Sequence, residues 1–223
     1  MRSKWLGAAV VAAMWAFAAA VHSRLPARVP SHWNLRGEVD GWMGRTGGAI
    51  AMPALATGVL LLLVLLPHID PRGDNLRRSP DWRLFINLIV LFMAVVQVAT
   101  LGVALGWDVR VDRVILASVG LLLAALGNYL PRIRSNWFVG IRTPWTLDND
   151  RVWRETHRVG GRCFVAGGLA LVVAAALPGA ARVVLLIAAV VLMAVVPLAY
   201  SYVAWRRDHA GRMGWRSGTR DAG

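Results

Sequence analysis

Val183-Val-Leu-Leu-Ile-Ala-Ala-Val-Val-Leu-Met-Ala-Val-Val-Pro-Leu-Ala-Tyr-Ser-Tyr-Val-Ala204 carries no charge and almost no polarity. As a helix rising 1.5 Å per residue it crosses a hydrocarbon core about 30 Å thick. Working outward, five more such blocks appear: Trp5–Val21, Ala49–Pro67, Leu84–Gly106, Val114–Gly127 and Cys163–Leu177. The last two are short and borrow flanking residues, Arg113 and Asn128–Tyr129 for one and Arg158–Arg162 for the other. The chain has 223 residues, 57% hydrophobic and 17% charged. A soluble domain scatters its apolar residues at periodic positions, whereas here they come in blocks. The fold class expected is an all-α polytopic membrane protein with six transmembrane helices.

The first block needs separate treatment. Arg2 and Lys4, an apolar run and Ala18-Ala19-Ala20 imitate a cleavable signal peptide. The run is long, however, Trp5 and Trp15 interrupt it, and five spans follow. A retained first helix is expected.

Orientation follows from the cations. With the N-terminus cytoplasmic, the inner set is Arg2, Lys4, Arg72, Arg77, Arg78, Arg83, Arg132, Arg134, Arg142, Arg151, Arg154, Arg158, Arg162, Arg206, Arg207, Arg212, Arg216 and Arg220, which makes 18. The outer set is Arg24, Arg28, Arg36, Arg45, Arg110, Arg113 and Arg182, which makes 7. Translocating Lys and Arg is disfavoured, so both termini are expected in the cytoplasm. The net charge of +13 is thereby explained by membrane orientation, and direct nucleic-acid binding is not expected. Cys163 is the single cysteine, which excludes an intramolecular disulfide and a cysteine-based metal site.

Within the spans, Asn87, Gln97, Thr100, Ser118, Tyr200, Ser201 and Tyr202 are polar but not ionisable near neutral pH. Hydrogen bonds between packed helices are the expected use, and a proton relay lacks its carriers. Gly102, Gly106, Gly167 and Gly168 allow close helix approach.

The outer connector, residues 22–48, contains Pro26 and Pro30, which keep its entry extended, and the turn formers Asn34, Gly37, Asp40 and Gly41. It reads as a compact structured turn, with Trp33 and Trp42 at headgroup level. His32, Glu38 and Asp40 fit no defined metal spacing, and no metal or cofactor is expected. The pattern Pro26, Pro30, His32, Asn34, Gly37, Asp40 and Gly41 resembles the domain of unknown function DUF1648, found at the N-terminus of many bacterial membrane proteins. The continuation through Asp70, Pro71 and Asn75 resembles it too, with Asp70-Pro71 making an abrupt inner turn.

The inner connector, residues 128–162, is crowded with Arg and Trp. Pro131 ends the fourth helix, and Asn136 and Gly140 mark turns. Thr143-Pro144 imposes an extended step before Trp145. Asp148 or Thr146 is a good N-cap for a helix through Arg151, Trp153, Arg154, His157 and Arg158. Trp153 and His157 share a face of it, and Gly160-Gly161 permits a hinge or close packing. A basic helix with tryptophans could simply lie on anionic lipid headgroups. That reading leaves the ordered core Asn136-Trp-Phe-Val-Gly-Ile-Arg-Thr-Pro-Trp-Thr-Leu147 unexplained. Such a core implies a fixed fold that holds Arg142.

Asn128, Pro131, Asn136, Gly140, Arg142, Thr143, Pro144, Trp145, Trp153, Thr156, His157 and Gly161 together resemble the signature of the SdpI-type immunity proteins. The resemblance implies a multi-pass protein of the bacterial cytoplasmic membrane that protects against a secreted peptide toxin. In the family's best understood system the toxin collapses the membrane potential, and toxin engagement recruits a small repressor to the membrane. The partners implied are membrane lipids, a peptide toxin outside and a small repressor inside, with no catalytic residues. The organisation expected is a DUF1648-like region over 1–83, an SdpI-like membrane domain over 84–205 and a basic cytoplasmic tail over 206–223.

Two alternatives stay open. One is a membrane enzyme or transporter acting on lipid or a small substrate, with Arg142, His157 and Arg158 cradling a phosphate and His32 with Asp40 as acid and base. The expected orientation puts those groups on opposite sides of the membrane. The other is a lipid-binding scaffold.

Overall fold

A computed structural model describes residues 5–34, 37–79 and 81–218, with side chains followed to residue 210. Arg2, Lys4, Arg36 and Arg220 of the charge balance lie outside the described residues, as do the side chains of Arg212 and Arg216. Six described helices are long and apolar enough to cross a membrane. They are α1 (Leu6–Val21), α2 (Arg45–Ile69), α4 (Trp82–Ala104), α5 (Val111–Tyr129), α7 (Asp150–Ala176) and α8 (Gly179–Gly218). Short helices α3 (Asp74–Arg77) and α6 (Pro144–Asp148) lie between them, and strands β1 (Arg28–Trp33) and β2 (Val39–Gly44) precede α2. Successive spans alternate in direction. One face therefore carries α3, the 130–149 connector and the end of α8, and is called here the loop face. The opposite, hairpin face carries β1 and β2.

The spans form two packed groups. Val11 and Met14 of α1, Ala56, Leu63 and Leu66 of α2, and Ile86, Val90 and Met93 of α4 share one core. Gln97 Nε2 donates to the Met14 carbonyl at 3.0 Å, tying α4 to α1 at mid-depth. Ser118 and Thr100 bond within their own helices instead.

Helices α5, α7 and α8 form the second group, and α5 packs on α7 more extensively than any other pair of described helices. Gly120 faces Gly168, and Gly127 faces Gly161, seven residues apart on each antiparallel helix. A Cβ on Gly168 would lie 2.5 Å from the Gly120 carbonyl oxygen, and one on Gly161 would lie 2.6 Å from that of Gly127. In lipid, where apolar burial drives helix association weakly, such small-residue approach lets backbones pack and gain dispersion contact. Gly167 meets Met193 and the Ala189 carbonyl of α8 in the same way.

Four details depart from the sequence reading. The outer connector is an antiparallel hairpin, pairing Arg28 with Gly44 and Pro30 with Trp42, with irregularities beside His32. Its bulges and prolines hide the period-two alternation that identifies strands. The helix through Arg151 and the fifth span are one continuous α7, because Gly160 and Gly161 serve as packing surfaces: Gly160 lies against Ile141, and Gly161 against Pro131. Neither Asp148 nor Thr146 caps α7. Asn149 does so, its Oδ1 accepting from the Arg151 and Val152 amides, while Thr143 caps α6. Finally, the tail runs on from α8 as helix through Gly218.

A larger side chain at the glycine contacts should separate α5 from α7. Gly161→Val is expected to cost about 2 kcal/mol or more by overpacking, read as a fall in melting temperature of the detergent-purified chain. Gly58→Ala, at a site with open space around it, should leave the melting temperature unchanged or raise it.

Candidate functional site

The 130–149 connector is built as a polar platform, one that braces nearly every turn with a buried side chain. A 3-10 turn, Leu130–Arg132, ends α5 at Pro131. The chain then folds over Asn136, which is fully buried. Asn136 Oδ1 accepts from the Phe138 and Val139 amides, and Nδ2 donates to the Arg134 and Val139 carbonyls. One side chain thus satisfies a complete turn of backbone, which explains why asparagine stands there.

Gly140 follows with φ +119°, lying directly on the edge of the Trp153 and His157 rings. No side chain fits that space, and L-residues rarely adopt that conformation. Beneath it, Trp153 and His157 stack with centroids 4.0 Å apart, both buried. Trp153 Nε1 donates to the Ile133 carbonyl at 2.8 Å. His157 Nδ1 lies 2.8 Å from the Trp153 carbonyl, and Nε2 accepts from the Ile141 amide at 3.0 Å. Accepting at Nε2 while donating at Nδ1 requires the neutral imidazole, since a proton on Nε2 would oppose the Ile141 N–H. Both nitrogens are therefore engaged, Nε2 holding the connector and Nδ1 bonded within α7, and His157 is not available to a phosphate.

Thr143 is extended, and Pro144 opens α6. The Thr143 amide donates to Thr146 Oγ1 at 2.8 Å, and the Thr146 amide donates to Thr143 Oγ1 at 3.2 Å, a reciprocal capping box. Thr143 Oγ1 also contacts Ser201 Oγ of α8 at 3.3 Å. Trp145 packs on Tyr202, with centroids 5.1 Å apart. Asn149 Nδ2 donates to Asp208 Oδ2 at 2.7 Å, fastening the far end of α8 to the platform. Thr156 is buried, and its hydroxyl has no hydrogen-bond partner among the described residues. Arg142 remains exposed, its Nη1 donating to the Trp137 carbonyl at 2.6 Å. The connector therefore holds the Arg142 guanidinium at its surface on a rigid support, with Arg132 and Arg134 also exposed.

The inner turn of the N-terminal region docks onto this platform. Asp70 Oδ1 accepts from the Arg72 amide at 2.7 Å, and Oδ2 accepts from the Trp137 amide at 3.1 Å. Asn75 Nδ2 donates to the Ser135 carbonyl at 2.7 Å. Arg72 donates to the Ser135 hydroxyl and lies over the Trp137 ring. Two motifs more than sixty residues apart thus form one clasp. Arg72, Ser135, Trp137 and Asn149 were not among the residues singled out from sequence. Arg72 lies between two that were, and Ser135 and Trp137 flank a third.

The outer motif lies on the opposite face. His32 Nδ1 pairs with Asp40 Oδ1, both substantially exposed. Asn34 Oδ1 accepts from the Glu38 amide, and its Nδ2 donates to Glu38 Oε2. Pro30 is buried, and Gly37, at φ +80°, closes the tip beside Asp112 of α5. Glu38 points to Asn34, away from the His32–Asp40 pair, and no three His, Cys, Asp or Glu side chains converge among the described residues. Asn128, at the end of α5, is exposed to the side of the platform.

Residues 132–201 match the SdpI/YfhL protein family, and residues 9–57 match a domain of unknown function, DUF1648. The chain is 24% identical over 196 residues to the immunity protein SdpI of Bacillus subtilis (strain 168), covering 86% of this chain and 90% of that protein. No solved structure matches. With its six apolar helices, the chain is a multi-pass protein of the bacterial cytoplasmic membrane. The clasp joins the segment that follows the DUF1648 match to the start of the SdpI/YfhL match.

Asn136→Ala leaves the Val139 and Phe138 amides without acceptors and is expected to cost about 2 kcal/mol. Hydrogen exchange of the 134–141 segment should accelerate while α5 and α7 keep their protection. Unchanged exchange there would show that Asn136 does not organise the turn.

Proposed function

We propose, from the likeness to the SdpI/YfhL family and to DUF1648, an immunity and signal-transducing role against a secreted antimicrobial peptide toxin. The hairpin face lies outside and meets the toxin, and both termini and the platform lie in the cytoplasm. The charge balance of 18 inner and 7 outer cations supports that orientation. Engagement at the hairpin biases the platform, where the exposed Arg142 and its neighbours present a surface to a small repressor. The protein acts by sequestration and conformational coupling, with no bond chemistry.

One observation carries the reading. Strand β2 ends at Gly44, and α2 begins at Arg45 and runs as one helix, through Pro53 and Pro67, to Ile69, next to Asp70 of the clasp. Val29 of β1 packs on Gly48 at the other end of the same helix. The hairpin and the platform are therefore attached to opposite ends of one strut, about 37 Å long at 1.5 Å per residue. A displacement at one end reaches the other without passing through the lipid-facing seams. Against an enzyme, the candidate phosphate cradle is dispersed: His157 is buried and doubly bonded, and Arg142 is held by Trp137.

The test is membrane potential in a susceptible bacterium exposed to a panel of pore-forming peptides, with and without the protein. The wild-type chain should preserve the potential against at least one peptide. Arg142→Ala, at equal membrane level, should lose that protection. Equal protection by Arg142→Ala would reduce the platform to an anchor, and no protection by wild type against any peptide would remove the immunity role.

A further inference from the structure

The α5–α7–α8 group is closely packed, but the α1–α2–α4 group is open on its lipid side near the loop face. A cleft of about 620 Å³ lies there between the start of α1, the second half of α2 and the start of α4. Its lower walls are apolar: Ala8, Leu60, Leu61, Val64 and Ile86. The small residue Gly7 keeps it open, since a Cβ there would already crowd Asn87 and Leu60. The mouth is lined by His68, Arg77, Arg78 and Arg83, and no acidic residue lines the cleft among the described residues.

These charges are only partly offset nearby. Asp74 pairs with Arg77 at 2.5 Å and reaches Arg78 only at 3.8 Å, and Arg83 has no ion pair among the described residues. One helical turn below Arg83 stands Asn87, on the cleft wall. Its amide has no hydrogen-bond partner among the described residues, and an amide facing hydrocarbon without a partner is disfavoured. The cleft thus presents, from its mouth downward, guanidinium groups, one unpaired amide and an apolar slot.

That order matches an anionic phospholipid. We propose that this cleft is a specific binding site for one such lipid, its phosphate held by Arg78 and Arg83, its glycerol ester region bonded to Asn87, and an acyl chain lying along Leu60, Val64 and Ile86. The occupant needs both a negative head and a chain, because the cationic mouth and the apolar slot are continuous. Interfacial arginines attract anionic headgroups in general, at about 1 kcal/mol or fivefold per cation. A built site differs from that general attraction in depending on the slot. The site is independent of the immunity reading and would serve the bundle whatever the protein's partner.

Native mass spectrometry of the full chain in detergent, titrated separately with phosphatidylglycerol, phosphatidylcholine and inorganic phosphate, tests the assignment. The wild type should retain one phosphatidylglycerol with roughly tenfold preference over phosphatidylcholine. Arg78→Gln with Arg83→Gln, both at exposed positions, should lower retention by roughly tenfold or more. Val64→Trp should fill the slot and abolish retention while every mouth charge remains. Equal retention of the two lipids, or full retention by Val64→Trp, would reduce the mouth to general headgroup attraction and overturn the site. Displacement of the lipid by millimolar inorganic phosphate would make it an anion site and overturn the lipid assignment.

Discussion

The contact on which the rest of the molecule depends is the approach of α5 to α7 through Gly120–Gly168 and Gly127–Gly161. Two backbones in van der Waals contact leave no freedom in the relative height of the helices. That height sets Pro131 on Gly161 and so fixes where the loop-face connector begins. It also sets the Trp153–His157 stack at the level where Gly140 must cross it. Packing of small residues thereby becomes the foundation of a polar structure.

The connector on that foundation is rigid for a second reason. A segment at a membrane surface has backbone groups that neither helix nor sheet satisfies, and each left buried without a partner is costly. Here the turns carry their own donors and acceptors: Asn136 for residues 134–139, His157 for Ile141, the Thr143–Thr146 box for α6, and Asn149 for α7. Asp70 adds a bond from outside the connector, to the Trp137 amide. The motif residues are thus mostly scaffolding, and the connector's groups left facing solvent include Arg132, Arg134, Trp137, Phe138 and Arg142. Arg142 is prominent among them. A motif made mainly of support, presenting a small fixed surface, fits recognition better than chemistry.

Much of this was legible in the residues. The six spans announce themselves as apolar blocks, and their ends are set by Pro, Gly and Arg with soft margins. Pro131, Asn136, Gly140 and Thr143-Pro144 mark turns for reasons that hold locally, and the structure bends at each of them. What escaped needed non-local information. Gly168 and Gly161 could be read as sites of close approach, but not their partners: Gly120 and Gly127 lie on a separate helix, where each alone reads as a weak helix former. Gly160-Gly161 left a hinge and close packing both open, and the neighbouring Ile141 and Pro131 decide for close packing. Thr146, Asp148, Asn149 and Asp150 all have capping chemistry, and Asn149 prevails because Asp208 also fixes its amide. The hairpin escaped because bulges beside His32 and Pro30 within β1 blur its alternation. The clasp joins Asp70, Arg72 and Asn75 to residues of a different motif, which no local pattern can reveal.

The clasp ties the end of the strut carrying the hairpin to the platform by direct hydrogen bonds, beside the Arg132–Asp81 ion pair and Val139, which packs against the first core. The direct measurement is hydrogen exchange at the Trp137 amide in lipid nanodiscs, for the wild type and for Asp70→Ala. The account predicts a protected amide in the wild type, and exchange faster by roughly tenfold or more in the variant, as expected when a bond worth about 1.5 kcal/mol or more to a charged acceptor is lost. Protection in α5 and α7 should be unchanged. Equal exchange of the Trp137 amide in both proteins would contradict it, and would mean that the N-terminal region and the platform are merely neighbours.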